Sequence, residues 1–196
     1  MLRIGILTTH PIQYHGPFFK HLATKDNLQV KVFYAHRATA DEQADAGFGV
    51  PFDWDLPLLE GYQHQFLRNV AEQPSISRFG GLDTPEIRDV VFSKTLDALV
   101  VHGWHYKSAW QAIIAGWKSS VPVLVRSDSH LKTERHALKK VAKWPFYRTF
   151  IPRLDACLAV GSWATDYFLG YGADPKRIFV VPHCVDSNRL SEQAWK

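Results

Sequence analysis

The stretch LDALVVHGWHYKSAWQAIIAGWKSSVPVLVRSD, Leu96 to Asp128, decides the fold. It opens on a short apolar run, Ala98 to His102, whose length and β-branched content suit a buried strand. Tyr106, Ala109, Trp110, Ile113, Ile114 and Trp117 then recur at the i, i+3, i+4, i+7 spacing of one helical face. A second apolar run, Val121 to Arg126, closes the unit. Strand, amphipathic helix and strand in this order make a crossover between parallel strands.

The same alternation extends outward. Arg3 to Thr8, Val30 to Tyr34, Ala156 to Val160 and Ile178 to Val181 are further strand-length runs. Thr84 followed by Pro85 reads as a helix cap with proline in the first turn, and Ser162 and Gly172 bracket another helix. The expected fold is α/β, a Rossmann-like three-layer α/β/α sandwich with a mostly parallel sheet, which binds ligands outside the carboxyl ends of its strands. Residues 36–82 mix aromatic, proline, glycine and charged residues without a period and read as an excursion loop. With no internal repeat or linker, residues 1–196 read as one domain.

Composition agrees with this picture and narrows the function. A chain of 196 residues with 46% apolar and 21% charged residues can build one core and is not a disordered segment. Cys157 and Cys184 lie in apolar stretches without metal-ligand spacing, which argues against a disulfide scaffold or a zinc site and for a reducing compartment. No apolar run nears the ~20 residues of a membrane span, and Met1 leads straight into a strand-like segment, so a cytoplasmic location is expected. The net charge of +4 is modest and mostly local, which ranks nucleic-acid binding low.

Two strand exits carry the candidate site. The first turn, THPIQYHGP from Thr9 to Pro17, offers His10, Gln13, Tyr14 and His15 as hydrogen-bonding groups and Gly16 as a point of close backbone approach. His10 and His15 read equally well as simple surface residues. The turn lacks G-x-G-x-x-G and a P-loop lysine, which excludes the usual dinucleotide and ATP sites. The second exit places the polar His102, then Gly103 and Trp104, after an apolar strand. Following the next strand, Arg126, Asp128 and His130 project toward the same crevice; Arg126 either meets a substrate phosphate or carboxylate or pairs with Asp128.

These segments resemble the N-terminal half of glycosyltransferase family 4, which has the two-domain GT-B fold. Many members carry Asp, two apolar residues and His-x-His at the fourth-strand exit; Asp97 and His102 match, with Val100 in place of the first histidine. RIFVVPHCVDSNRL, Arg177 to Leu190, resembles the family's strand, proline, apolar-Asp signature, and SWATDYFLGYGADPKRI, Ser162 to Ile178, its preceding helix and turn. VPFDWDLPLLEGY, Val50 to Tyr62, resembles a stretch shared by bacterial members that also open on THPIQY.

The resemblance implies a retaining, metal-independent transferase whose two domains close over a nucleotide-sugar donor. The C-terminal domain, with its Glu-x7-Glu element, would hold most of the donor; these residues would receive a sugar, lipid-linked or small-molecule acceptor. It implies that His102 is catalytic, through hydrogen bonding beside the transferred bond, with Gly103 and Trp104 next to the substrate. The first-turn loop would lie under the donor diphosphate, although His15-Gly16 stands where many members have Gly-Gly. Asp53 and Asp55 form a D-x-D, but between Pro51 and Pro57 rather than after a buried strand, and two carboxylates make a poor cation cage, so no metal or other cofactor is expected.

From Leu131 to Arg153, Lys132, Arg135, Lys139, Lys140, Lys143, Arg148 and Arg153 face only Glu134. Trp144, Phe146, Tyr147 and Phe150 gather around Pro145, read as a helix breaker. The segment reads as a solvated helix face or as a peripheral contact with the inner face of an anionic membrane. Against the transferase stands one rival class, a stand-alone saccharide- or nucleotide-binding module without catalysis.

Overall fold

A computed structural model of the chain describes residues 1–37, 57–131, 137–185 and 191, with the backbone alone for 137–142. Seven strands form one sheet: β1 (Leu2–Thr8), β2 (Leu28–Tyr34), β3 (Gln63–Phe66), β4 (Ala98–His102), β5 (Val123–Ser127), β6 (Ala156–Ala159) and β7 (Ile178–Val180). All neighbours are parallel in the order β3-β2-β1-β4-β5-β6-β7. The helices are α1 (Gly16–Ala23), α2 (Glu86–Phe92), α3 (Lys107–Ser119), α4 (Ala137–Phe150) and α5 (Ser162–Gly170). This is the expected Rossmann-like sheet, and its winding reverses between β1 and β4.

Strand alternation sends side chains to two cores. Leu7, Phe33, Leu99, Val101, Val123 and Val125 join Ile87, Val91, Ala112, Ile113, Phe150 and Phe168 in the larger core, against α2 to α5. Ile6, Val30, Val32, Tyr34 and Val100 pack with Phe19 on the face of α1. The two-residue period therefore carries His102, after Val100, and Arg126, after Leu124, to the α1 face, where their Cα atoms are paired across β4 and β5.

Three local expectations need correction. The segment read as an excursion loop contains β3, a short polar QHQF strand that pairs with Lys31–Tyr34 at the sheet edge and shows no apolar alternation; residues 38–56, including the D-x-D, lie outside the described residues. The Thr84 hydroxyl does not cap α2: it is buried without a partner, while the Thr84 carbonyl accepts from the Ile87 amide at 3.1 Å. Ser162, the first residue of α5, and Gly172 bracket that helix as expected. At φ +87° the Gly172 amide donates to Leu169, and the Ala173 amide donates to Phe168, the paired bonds of a left-handed helix stop. Pro145 does not break α4, because Tyr147 and Phe150 beyond it are buried in the larger core and hold the helix through the missing amide.

Candidate functional site

At the carboxyl edge of the sheet the loops after β1, β4, β5, β6 and β7 enclose a cleft of about 280 Å³. Thr8, Thr9, Ile12 and His15 line it from the first turn, His102 and Gly103 from β4, Arg126, Ser127 and Asp128 from β5, and His183 from the segment after β7. The cleft lies at the reversal of sheet winding, where two loops diverge and leave room for a ligand.

The geometry begins at His102. Its ring stacks edge-on against His15 with centroids 4.5 Å apart and lies 5.8 Å from Phe19. The residue as a whole is half-buried, yet both ring nitrogens are shielded and partnerless among the described residues. Burial first, then His15, Arg126 and His183, hold its pKa well below that of an ordinary imidazole. His15 is pulled down to about 3, by burial foremost and then by Arg126, His183 and His10. Both rings are neutral at pH 7. They are suited to hydrogen bonding and poor as proton acceptors.

Arg126 is 6% exposed. Its Nη2 donates to the carbonyls of Val181 at 3.3 Å and Pro182 at 3.2 Å and to His183 Nδ1 at 3.4 Å; Nη1 reaches His15 Nε2 at 3.5 Å. Nε is buried without a partner. Among the described residues no ion pair joins Arg126 to Asp128, which is exposed and acts on it only through space. Burial lowers the Arg126 pKa and Asp128 opposes that shift.

The first turn contributes differently from expectation. His15 lies in the cleft, and Tyr14 stacks at 5.2 Å on His183. His10 is half-buried and bonded at 3.1 Å to Thr9 Oγ1, and Gln13 is half-buried outside the lining. Gly16 does not open a place for ligand: a Cβ there would meet the Leu58 carbonyl oxygen at 3.2 Å, so the close approach it allows is to the chain itself. The amides of His15 and Gly16 both donate to the Ile12 carbonyl, and Pro17 has none. The two amides flanking the His15–Gly16 bond are therefore spent within the turn itself.

The second exit also divides. Gly103 lines the cleft at φ +73°, a left-handed turn that donates its amide to the Arg126 carbonyl at 2.8 Å. That turn swings Trp104 away, into the larger core among Tyr147, Phe150, Tyr167 and Phe168 at 3% exposure. Its side chain is outside the cleft lining and borders a second, exposed groove instead. His183 was missed; the available signal was a polar residue directly after a strand-proline exit, the same pattern that singled out His102.

A brace holds the loop in place. Tyr34 and Tyr62 share a hydroxyl hydrogen bond of 2.6 Å, and Tyr62 donates to the Leu58 carbonyl, pinning residues 57–62 over Gly16. This gives the described part of the Val50 to Tyr62 stretch a structural task. Cys157 is a buried free thiol pushed up to about 12 by burial, and Cys184 is free and half-buried. Among the described residues no helix is long and apolar enough to cross a membrane.

The family model of Glycosyltransferase Family 4 matches residues 18–189. Among solved structures, the chain is similar to UDP-N-acetylglucosamine 2-epimerase from Rickettsia bellii at 10% identity and TM-score 0.61, covering 100% of this chain and 49% of that one. It is similar to HepE of Anabaena in complex with UDP-glucose at 13% identity and TM-score 0.58, over 100% of this chain and 50% of that one. The UDP-GlcNAc 2-epimerase of Methanocaldococcus jannaschii follows at 16% identity and TM-score 0.51, over 93% and 46%. The chain thus spans about half the length of these structures, and at such identities they share its fold alone. A comparison with curated proteins gives no match.

Proposed function

The chain belongs to Glycosyltransferase Family 4, and from that premise we propose that it is the acceptor-binding N-terminal half of a retaining, nucleotide-sugar-dependent glycosyltransferase. The observation that carries the proposal is the cleft at the reversal of the sheet, with His102 at its base. In this reading a C-terminal GT-B domain closes over the cleft and brings the donor, and no metal is invoked. His102 is the catalytic residue: a neutral imidazole that donates a hydrogen bond beside the transferred bond, where developing charge strengthens it. His15, Gly103 and Arg126 position the substrates around it, with His10, Gln13, Tyr14 and Asp128 at the margin.

Several finer features belong to the same proposal. The acceptor is a glycan end or lipid-linked sugar in polysaccharide biosynthesis on the cytoplasmic side of a membrane. An exposed groove of about 550 Å³ lined by Phe79, Trp110, Ile114, Lys143 and Phe146 supports a lipid-linked acceptor, since His105 borders both groove and cleft. Lys143, in the groove lining, would meet anionic lipid there.

The test is His102→Ala in the full-length protein, assayed for sugar transfer. Turnover should fall on the order of a hundredfold with the fold intact by circular dichroism. Unchanged turnover would remove His102 from catalysis. Tight binding of a nucleotide-sugar by these 196 residues alone would overturn the acceptor-side assignment and favour a stand-alone binding module.

A further inference from the structure

A polar hollow that the proposed transfer leaves unused lies one turn of chain away from the cleft. It holds about 580 Å³, within the ~300–1,000 Å³ of small-molecule sites. Glu72, Gln73, Arg78, Gly80 and Asp83 line it from the segment before α2, and Lys107 lines it from the start of α3. His105 and Tyr106 line the cleft, and Lys107 follows them directly in sequence.

The wall of this hollow has almost no regular structure, and side chains hold it in shape instead. Asn69 donates from Nδ2 to the Gly81 carbonyl at 2.9 Å, while its Oδ1 accepts from the amides of Ala71 at 3.1 Å and Asp83 at 2.9 Å. Tyr106 donates to the Ile76 carbonyl, which ties the wall to the turn beside the cleft. Gly81 is packed so closely that a Cβ there would collide with the Ser75 carbonyl. Of the side chains from Asn69 to Gly81, Ile76 is the one packed against the larger core. Ordering that much backbone costs entropy that so little apolar burial does not offset, so the segment is shaped for what it presents.

What it presents is balanced in charge. The 3-10 turn Phe79–Gly81 divides two surfaces: Phe79 lines the apolar groove, whereas Gly80 and Gly81 line the polar hollow. There the carboxylates of Glu72 and Asp83 stand with the cations of Arg78 and Lys107. Asp83 accepts from Lys107 Nζ at 2.6 Å and from Gln111 Nε2 at 2.7 Å, and Arg78 Nη1 donates to Gln73 Oε1 at 2.6 Å. Lys107 and Arg78, both exposed, keep further N–H groups beyond these bonds, and the carboxylates keep further lone pairs. Because the charges cancel, the hollow offers donors and acceptors without a net pull on an ion. A neutral ligand whose groups both donate and accept matches it, and that is the chemistry of sugar hydroxyls. Val70, 46% exposed, and Ala71 add apolar surface for the C–H face of a ring.

We propose that this hollow is an outer carbohydrate subsite, holding a neutral sugar ring of an acceptor whose reacting end lies in the cleft. The inference rests on the transferase reading and adds a separate demand: the acceptor is an oligosaccharide long enough to pass Tyr106.

The experiment presents single sugars, neutral oligosaccharides and uronic-acid oligosaccharides to the 196-residue chain on a glycan array, and follows the tightest binder by calorimetry. Neutral oligosaccharides should bind more tightly than their single sugars and than the acidic series. Arg78→Ala, at an exposed position, should weaken the tightest binder about tenfold through the loss of a charged hydrogen bond, and Gln73→Ala by a smaller factor. Phe179→Ala, an exposed aromatic on the edge strand β7, should change nothing. No neutral oligosaccharide bound by the wild type, a preference for the acidic series, or equal binding by Arg78→Ala and Gln73→Ala overturns the subsite. In the full-length protein Arg78→Ala should raise KM for that oligosaccharide as acceptor and leave kcat in place, because the contact is the same in the ground and transition states. Oligosaccharide binding that depends on Arg78, without sugar transfer by the full-length protein, would retain the subsite and refute the transferase reading. Transfer with a KM unmoved by Arg78→Ala would do the reverse.

Discussion

At the amino edge of the sheet Arg3 donates from Nε at 3.1 Å and from Nη2 at 2.7 Å to the two oxygens of Asp97, and its own amide completes the contact at 2.8 Å. At the carboxyl edge Arg126 faces carbonyls and imidazoles and no bonded carboxylate. The first arginine is exposed and matched, so it ties β1 to the approach of β4. The second is buried and unmatched. A fold gains nothing by burying an unmatched charge, so the contrast marks the carboxyl edge as the one shaped for a ligand. It also reassigns Asp97: a residue that matches the family pattern is occupied at the far edge from the cleft, holding strands together.

Lowering the pH should separate the two edges most strongly. The shielded rings of His15 and His102 face Arg126, His183 and each other, with His10 also beside His15, and their pKa values lie far below that of an unfolded imidazole. The unfolded chain takes up these protons first, so stability is full above pH ~6.5 and is lost as pH falls from there toward the folded values. Each ring contributes a slope of about 1.4 kcal/mol per pH unit over that window. Urea midpoints measured between pH 7 and 5 should fall accordingly, and His15→Phe should flatten the slope. The Arg3–Asp97 pair acts elsewhere: the Asp97 carboxyl is drawn down to about 2 by Arg3, so its contribution is lost only below ~3.9, the unfolded carboxyl value. A midpoint constant from pH 7 to 5 would break the comparison.

A smaller effect is expected at Arg126 itself. Replacement by Met removes an unmatched buried charge, and stability should rise by about 1–2 kcal/mol in urea unfolding. A loss of stability instead would make Arg126 a structural clamp on Val181 and Pro182. Comparable in size, and opposite in sign, Gly103→Ala must force a side chain to φ +73° and should cost about 1–2 kcal/mol by the same measurement. No cost would show that the turn between His102 and Trp104 can relax. Least of all should Asp97→Asn matter: an exposed pair is screened by water and salt, and its melting temperature should barely move.

Most of the architecture was legible because it rests on local periodicity. Buried parallel strands are short apolar runs, and α3 carries its own amphipathic stripe, so six strands and their crossovers follow from spacing. β3 escaped because QHQF at a sheet edge has no apolar face to show. Within the site, His102, His15 and Arg126 were visible as polar residues at strand exits. Trp104 lies outside the cleft lining because its direction depends on the φ of Gly103, and Gly16 faces Leu58, a neighbour distant in sequence. His183 needed the β7 register to bring it to Arg126.

From the chain alone came the class of fold, the edge at which the cleft opens and the family, since all three are carried by residue types in local order. Tertiary structure alone decided which of two arginines is neutralised, which carbonyls and imidazoles surround the other, and which aromatic at the β4 exit belongs to the core. Those properties arise from desolvation and from contacts between residues up to 111 positions apart, such as His15 and Arg126, and no local pattern encodes the charge a partner will lack.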